Sequence, residues 1–339
     1  MTPSRFRTAA SLAVVIAATV ALSGCATAPA SDSGEASPDA AAAGILDNCG
    51  TEVDTAGAAP ERIVTIKSTT TELVLALGLG DRIVGAAFQD GPVPERWADA
   101  AADVPVISDF APSQEAVLEL EPDLVYAGWE SMFTAEAAGD RDSLAGFGVG
   151  TYVAPSACKD RDYMPEKLAF ADVFDEIAEA GVLLGAEDAA TDLVAEQSAA
   201  LDAVEPDDRG LTALWYSSGT DTPYVGAGIG APQMIMEAAG LENIASDIDD
   251  TWSSIGWEAI VDADPDVIVL VDASWNTAES KIELLESNPA TAELSAVRDE
   301  RYLVVPFAAG EAGVRNVDAA ADLADQLSTA ALAESATEG

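Results

Sequence analysis

QEAVLELEPDLVYAG (114–128) and WEAIVDADPDVIVLV (257–271) align without a gap, so that Glu115 falls on Glu258 and Pro122 on Pro265. Each copy reads the same way. Pro112-Ser113-Gln114-Glu115 starts a helix, Ala116 to Leu120, which Pro122-Asp123 breaks before a strand, Leu124-Val125-Tyr126-Ala127. In the second copy Glu258-Ala259-Ile260-Val261 is the helix, Asp264-Pro265-Asp266 the break and Val267 to Val271 the strand. A unit repeated at this distance implies two similar α/β halves, and duplicated α/β lobes usually face one another across a cleft.

Working outward, strands keep alternating with helices. Arg62-Ile63-Val64-Thr65-Ile66 is followed by Lys67-Ser68-Thr69-Thr70-Thr71 and a helix from Glu72 to Leu77, stopped by Gly78. Ser and Thr before Glu72 are good N-cap chemistry. Short strands follow at 83–87, 104–107 and 148–153. The second half has a strand at 211–216, a helix at 232–239 stopped by Gly240, a strand at 301–306 and a last helix at 317–333. Such alternation implies parallel sheets covered on both faces. Between the halves the spacing predicts two helices, Met164 to Leu184 and Glu187 to Glu205, the second about 28 Å long at 1.5 Å per residue. A rod of that length ties two lobes at a nearly fixed separation.

The composition narrows the function. Of 339 residues, 49% are hydrophobic and 22% charged, as in a globular protein. The formal net charge is −45, which repels polyanions and excludes nucleic-acid binding through a basic face. There is no histidine, so Ser-His-Asp and Cys-His catalysis and histidine metal sites are excluded. No cofactor is called for, and a bound metal would arrive inside a chelate. Three cysteines are too few for a disulfide scaffold or a four-cysteine zinc site.

The N-terminus reads as an export signal. Arg5 and Arg7 precede AASLAVVIAATVAL (9–22), about 21 Å as a helix and too short for a bilayer core of roughly 30 Å. Leu22-Ser23-Gly24-Cys25 resembles the bacterial lipobox, which implies lipidation of Cys25 and anchoring to the outer face of the cell membrane; an ordinary cleavable signal is the alternative. Residues 26–44 are too rich in Ala, Ser, Pro, Gly and acids to bury a core. The expected organisation is a signal peptide (1–24), an anchor and flexible tether (25–58), a first lobe (59–160), connecting helices (161–206), a second lobe (207–333) and a tail (334–339). In an exported chain the leftover Cys49 and Cys158 are expected to pair, pinning the N-terminal arm to its own lobe; two buried free thiols are the alternative.

In open parallel sheets, ligands sit outside the carboxyl ends of the strands. Those ends carry Lys67, Ser68, Thr69, Thr70, Phe88, Gln89, Asp90, Phe110, Trp129 and Glu130 in the first half. The second half supplies Trp215, Tyr216, Trp252, Trp275 and Phe307. Aromatic side chains suit a flat conjugated ligand, although core packing explains any one of them nearly as well. Lys67 and Arg315 near the mouth suggest a phosphate or carboxylate on the ligand; ordinary capping and a surface arginine are the plain alternative. The glycine-rich loop TDTPYVGAGIGAPQM (220–234) lacks G-x-G-x-x-G spacing and carries little weight as a dinucleotide site.

The two E-A-[VI]…PD segments, TTELVLALGLGDRIVG (70–85) and the connector helix resemble, over about residues 60–330, substrate-binding proteins of the iron-siderophore and vitamin B12 uptake class, which serve ABC importers. The resemblance implies two Rossmann-like α/β lobes with parallel sheets, joined by a long backbone helix, with the ligand cleft between them. It implies a non-catalytic, monomeric lipoprotein that delivers a small molecule to a permease dimer. It also implies that each lobe offers one glutamate, here Glu115 and Glu258, to an arginine pocket on that permease. Two matched carboxylates on rigid lobes suit a symmetric receptor; an acid favoured by a helix N-terminus is the bland reading of either one. WYSSGTDTPYVGAGIGAPQMIM (215–236) and PSACK (155–159) look like an actinobacterial subgroup proposed to bind precursors of the deazaflavin coenzyme factor 420. Rival functions are a secreted hydrolase using paired acids such as Glu130 and Asp90, and a surface interaction domain without transport.

Overall fold

The first half folds around Ile63-Val64-Thr65-Ile66, every residue of which is buried. In the computed structural model, which describes residues 44–329, this strand (β3, Ile63–Ile66) is the middle of a five-stranded sheet. Its companions are β4 (Ile83–Ala87), β5 (Val106–Ser108), β6 (Leu124–Ala127) and β7 (Gly150–Val153), in the order β5-β4-β3-β6-β7. All neighbours run parallel. Cys25, the signal stretch and the tail 334–339 lie outside the described residues.

The second sheet contains β8 (Thr212–Ser218), β9 (Tyr224–Gly226), β10 (Glu242–Asn243), β11 (Trp252–Ser254), β12 (Val267–Asp272) and β13 (Tyr302–Pro306). Its order is β11-β9-β8-β12-β13, with β10 also beside β8. The strands β8, β10, β12 and β13 are parallel, as expected, whereas β9 and β11 join antiparallel. Part of the stretch read as a glycine-rich loop is thus strand β9. It returns beside β8 because only five residues separate the two strands, too few for a parallel crossover.

Side chains alternate across each sheet. Ile63, Leu124, Tyr126 and Tyr152 point to one face, and Val64, Ile66, Val125 and Val153 to the other. In the second sheet Trp215, Val267, Val269 and Leu303 share a face, while Leu214, Tyr216, Ile268 and Leu270 take the opposite one. The inward faces of both sheets and the connecting helices build one continuous core, reaching from Ile63 through Ile177 and Leu184 to Trp215 and Leu323.

The repeat extends to details of the backbone. Glu121 and Asp264, at equivalent positions before the Pro-Asp, both have positive φ, 46° and 39°. Asp123 accepts the Arg62 N–H (3.0 Å) and Asp266 accepts the Thr212 N–H (2.9 Å). In each lobe this aspartate holds the start of the strand that pairs with its own.

The connector differs from a single long backbone helix. It is two helices, Phe170–Leu184 and Glu187–Asp202, broken at Gly185 in the left-handed region (φ 64°). The turn returns the chain, and the helices pack so closely that a Cβ on Gly181 would lie 2.5 Å from that of Ala190. Before the first helix, the Leu168 N–H donates to Ile229 O in the second lobe (2.9 Å). At its end, Leu184 O accepts from Arg82 in the first lobe (2.8 Å). The second helix runs back, and Gln197 Nε2 donates to Val314 O (2.8 Å). Counting the segment 159–168, the chain passes between the lobes three times.

The stretch expected as tether up to residue 58 contains a hairpin, β1 (Ile45–Asn48) and β2 (Thr51–Asp54). It is fixed because Asn48 is buried, donating to Val153 O (2.8 Å) and accepting from the Val153 N–H (2.8 Å). Arg141 also donates to Asn48 O (2.7 Å). Cys49 and Cys158 form a disulfide.

Candidate functional site

The carboxyl ends of β3, β6 and β7 face those of β8, β12 and β13 across a cavity of about 420 Å³, within the range of small-molecule sites. Trp129 and Thr69 line it from the first lobe. Tyr224, Trp252, Trp275 and Phe307 line it from the second. Tyr224 and Trp252 stack, with ring planes 13° apart and centroids 5.8 Å apart. Trp275 meets Phe307 edge-on at 5.8 Å and remains 65% exposed, free to cover a guest. Ser131, Ser156, Ser217, Ser218, Thr251 and Lys159 complete a mixed wall.

Lys67 does not face this space. It is buried, with its ammonium paired to Asp90 and lying over the rings of Trp129 (3.7 Å), Phe88 (4.5 Å) and Phe307 (5.1 Å). Ser68 Oγ accepts the Asp90 N–H (2.8 Å) and completes the lock. The expected anion contact from Lys67 is therefore corrected, since its charge is already neutralised. Arg315 is corrected for the same reason. Its guanidinium grips Glu72 with two hydrogen bonds, one from Nε at 2.6 Å, and donates to Pro92 O (2.8 Å). Burial pushes the Glu72 carboxyl above the ordinary carboxylate range, even against the nearby arginine.

Other expected ligand residues also lie elsewhere. Trp215 and Tyr216 are in the core, on opposite faces of β8, because that strand runs two residues beyond Tyr216 and leaves Ser217 and Ser218 at the mouth. The Thr70 hydroxyl donates to Ile66 O, and Gln89 Nε2 donates to Thr71 Oγ1 and Ala87 O. Phe88 packs behind Trp129 at 5.4 Å, and Phe110, 72% exposed, packs on Phe88. Glu130 accepts the Lys159 N–H (2.6 Å) outside the cavity lining. With Asp90 tied to Lys67, the two acids of the hydrolase reading are each engaged structurally. Among the described residues, no group of three His, Cys, Asp or Glu is placed to hold a metal ion.

Sequence reasoning missed Tyr224, Ser156 and Glu311. Tyr224 was concealed in the glycine-rich stretch. Glu311 sits in PFAAGEAGVR (306–315), where its contrast with small apolar neighbours was the available signal. Half-buried in the wall, it accepts from Trp129 Nε1 (3.1 Å). Burial raises its carboxyl above the ordinary range, and the Lys67 charge and the indole N–H offset part of that rise. Ser156 donates its N–H to Glu176 behind the wall (2.7 Å), where burial pushes the carboxyl up to about 8.

Two α/β lobes around such a cavity define a solute-capturing protein, and the chain belongs to the periplasmic binding protein family, whose model matches residues 63–309. It is similar to the uncharacterized ABC transporter substrate-binding lipoprotein YvrC of Bacillus subtilis, 26% identical over 276 residues, 79% of this chain and 80% of that protein. It is also similar to a cobalamin-binding protein of Halobacterium salinarum, 31% identical over 225 residues, 62% of this chain and 53% of that protein; the chain thus spans about half the length of that relative. A crystal structure of a periplasmic binding protein from Veillonella parvula superimposes with a TM-score of 0.73 at 26% identity, covering 82% of this chain and 95% of that one.

Proposed function

We propose that the protein captures a flat conjugated or chelated small molecule outside the cell and delivers it to an ABC permease. A corrinoid, a ferric siderophore and a deazaflavin precursor all belong to that class. The convergence of Trp129, Tyr224, Trp252, Trp275 and Phe307 from two lobes on one cavity carries the reading. Aromatic faces reward a planar guest by stacking and by area removed from water. The similarity to the cobalamin-binding protein of H. salinarum favours a macrocycle within this class.

Glu115 and Glu258 are exposed in the first turns of the repeated helices Gln114–Leu118 and Trp257–Ala263. They serve as matched docking acids for the permease dimer. The chain works as a monomer, held at the membrane by lipid on Cys25. Tryptophan emission of the purified protein tests the cleft. Addition of a corrinoid, haem, ferric siderophores or deazaflavin precursors should change it for at least one compound, and silence toward all of them refutes the stacking cleft.

A further inference from the structure

The cavity has two charged side chains in its lining, and they differ in kind. Lys159 is exposed, where water screens its ammonium. Glu311 is half-buried, bonded to the Trp129 indole in a wall that also holds Trp252 and Phe307, where screening is weaker than at the surface. One of its oxygens, Oε2, takes the Trp129 N–H; among the described residues, no group donates to Oε1. The positive charge that acts most strongly on it, that of Lys67 beneath the aromatic floor, is itself paired with Asp90, and the Lys159 charge acts more weakly.

The carboxylate is also held in place. Fully buried Asn316 donates through Nδ2 to Glu311 O (2.7 Å) and Ala309 O (3.0 Å), and accepts the Gly313 N–H (2.8 Å). Gly310 lies against Trp215 and Trp252; a Cβ there would be 3.3 Å from the Trp215 ring and 3.5 Å from that of Trp252, a tight fit. Gln197 pins Val314 on the far side. A rigid loop thus places in the mixed wall of the cavity a carboxylate with spare accepting capacity, an arrangement suited to selection because its ordering cost is met before binding.

We propose that Glu311 is the specificity-determining polar group of the cleft, accepting hydrogen bonds from carboxamide or ammonium donors on the rim of a flat conjugated ligand and rejecting ligands that place a carboxylate or phosphate there. This deepens the proposed function and rests on its reading of the cavity. A donor on the ligand completes the hydrogen bonding of Oε1. An anion in the same place meets like charge in a poorly screened pocket and leaves the acceptor unpartnered. A macrocycle with a carboxamide rim fits; a carboxylate-bearing porphyrin or a phosphorylated deazaflavin fits only if its anionic end stays outside.

The test uses a matched pair, cyanocobalamin and the monocarboxylic acids made by hydrolysing one of its side-chain amides, with haem as a carboxylate-bearing third probe. Affinities are read by tryptophan emission and calorimetry on wild type, Glu311→Gln and Lys159→Ala. Melting curves check the fold of each variant. Wild type should bind the amide form about tenfold or more tightly than the isomer whose carboxylate reaches Glu311. Glu311→Gln keeps an acceptor for Trp129, adds a donor and should bring that ratio close to one. A wild-type ratio near one, or a ratio that survives Glu311→Gln, overturns the inference and leaves the aromatic cleft standing. A ratio that moves with Lys159→Ala instead assigns selection to the rim cation and also overturns it. Failure of wild type to bind cyanocobalamin while another conjugated ligand without rim carboxamide or ammonium donors binds overturns the inference alone, and silence toward every conjugated ligand overturns the cleft reading with it.

Discussion

Replacing Arg315 with alanine should unfold the protein more readily without weakening ligand capture. Glu72 is buried to 1% side-chain exposure, and its two hydrogen bonds both come from Arg315. Among the described residues nothing else donates to it. The substitution therefore leaves a buried carboxylate without a partner, which typically costs about 3–5 kcal/mol. At roughly 2–4 °C per kcal/mol for a chain of this size, the melting temperature should fall by about 10 °C. The loss has a pH signature. Burial already holds the Glu72 carboxyl above its ordinary range, and loss of the arginine lifts it further. Folded variant then keeps a proton that unfolded chain releases, so stability falls as pH rises from the ordinary carboxylate range to that raised value. The deficit should be smaller near pH 5 than near pH 8, and Glu72→Gln added to Arg315→Ala should recover part of it. The assay is thermal melting by circular dichroism at both pH values, beside ligand titration. A melting shift under about 2 °C, or a loss of affinity with stability unchanged, would refute the structural role and restore Arg315 as a ligand contact.

Glu176, its carboxyl pushed up to about 8 by burial, with Glu179 and Asp172 adding to the rise and the Ser156 hydrogen bonds opposing it, should make the protein less stable as pH climbs from about 5 to 8; Glu176→Gln should flatten that slope and add on the order of 3 kcal/mol at pH 9, read by denaturant melts. Reduction of the Cys49–Cys158 disulfide, which spans 109 positions, should cost about 2–4 kcal/mol and release the hairpin, seen as faster amide exchange over 45–54. Glu115→Ala with Glu258→Ala should abolish uptake in cells while ligand affinity in solution stays within twofold; an equal loss of affinity would mean that these acids belong to the cleft.

Much of the fold was readable because its signals are local. Consecutive apolar residues such as Ile63 to Ile66 and Val267 to Val271 have few options but central strands, and Pro-Asp after a short helix marks the turn into them. The paired position of Asp123 and Asp266 then gives the repeat a physical cause, since each ties down a neighbouring strand. The site was harder. Whether Trp129 or Trp215 faces the cavity depends on where a strand ends, and an error of two residues moved Trp215 and Tyr216 from the mouth into the core. The cations misled because their partners are remote: Asp90 is 23 residues from Lys67, and Glu72 is 243 from Arg315. A charge seen in sequence invites a ligand until its counter-charge is located. Glu311 went unnoticed for the opposite reason. One acid among 60 acidic residues stands out only when its surroundings are known to be apolar.

The threefold passage of the chain between the lobes has a mechanical meaning. With a shared interior and no lone hinge, any swing of the halves against each other works against the packing that joins them. On the proposed docking role of Glu115 and Glu258, the guest would be released by torque applied to both halves more than by spontaneous breathing.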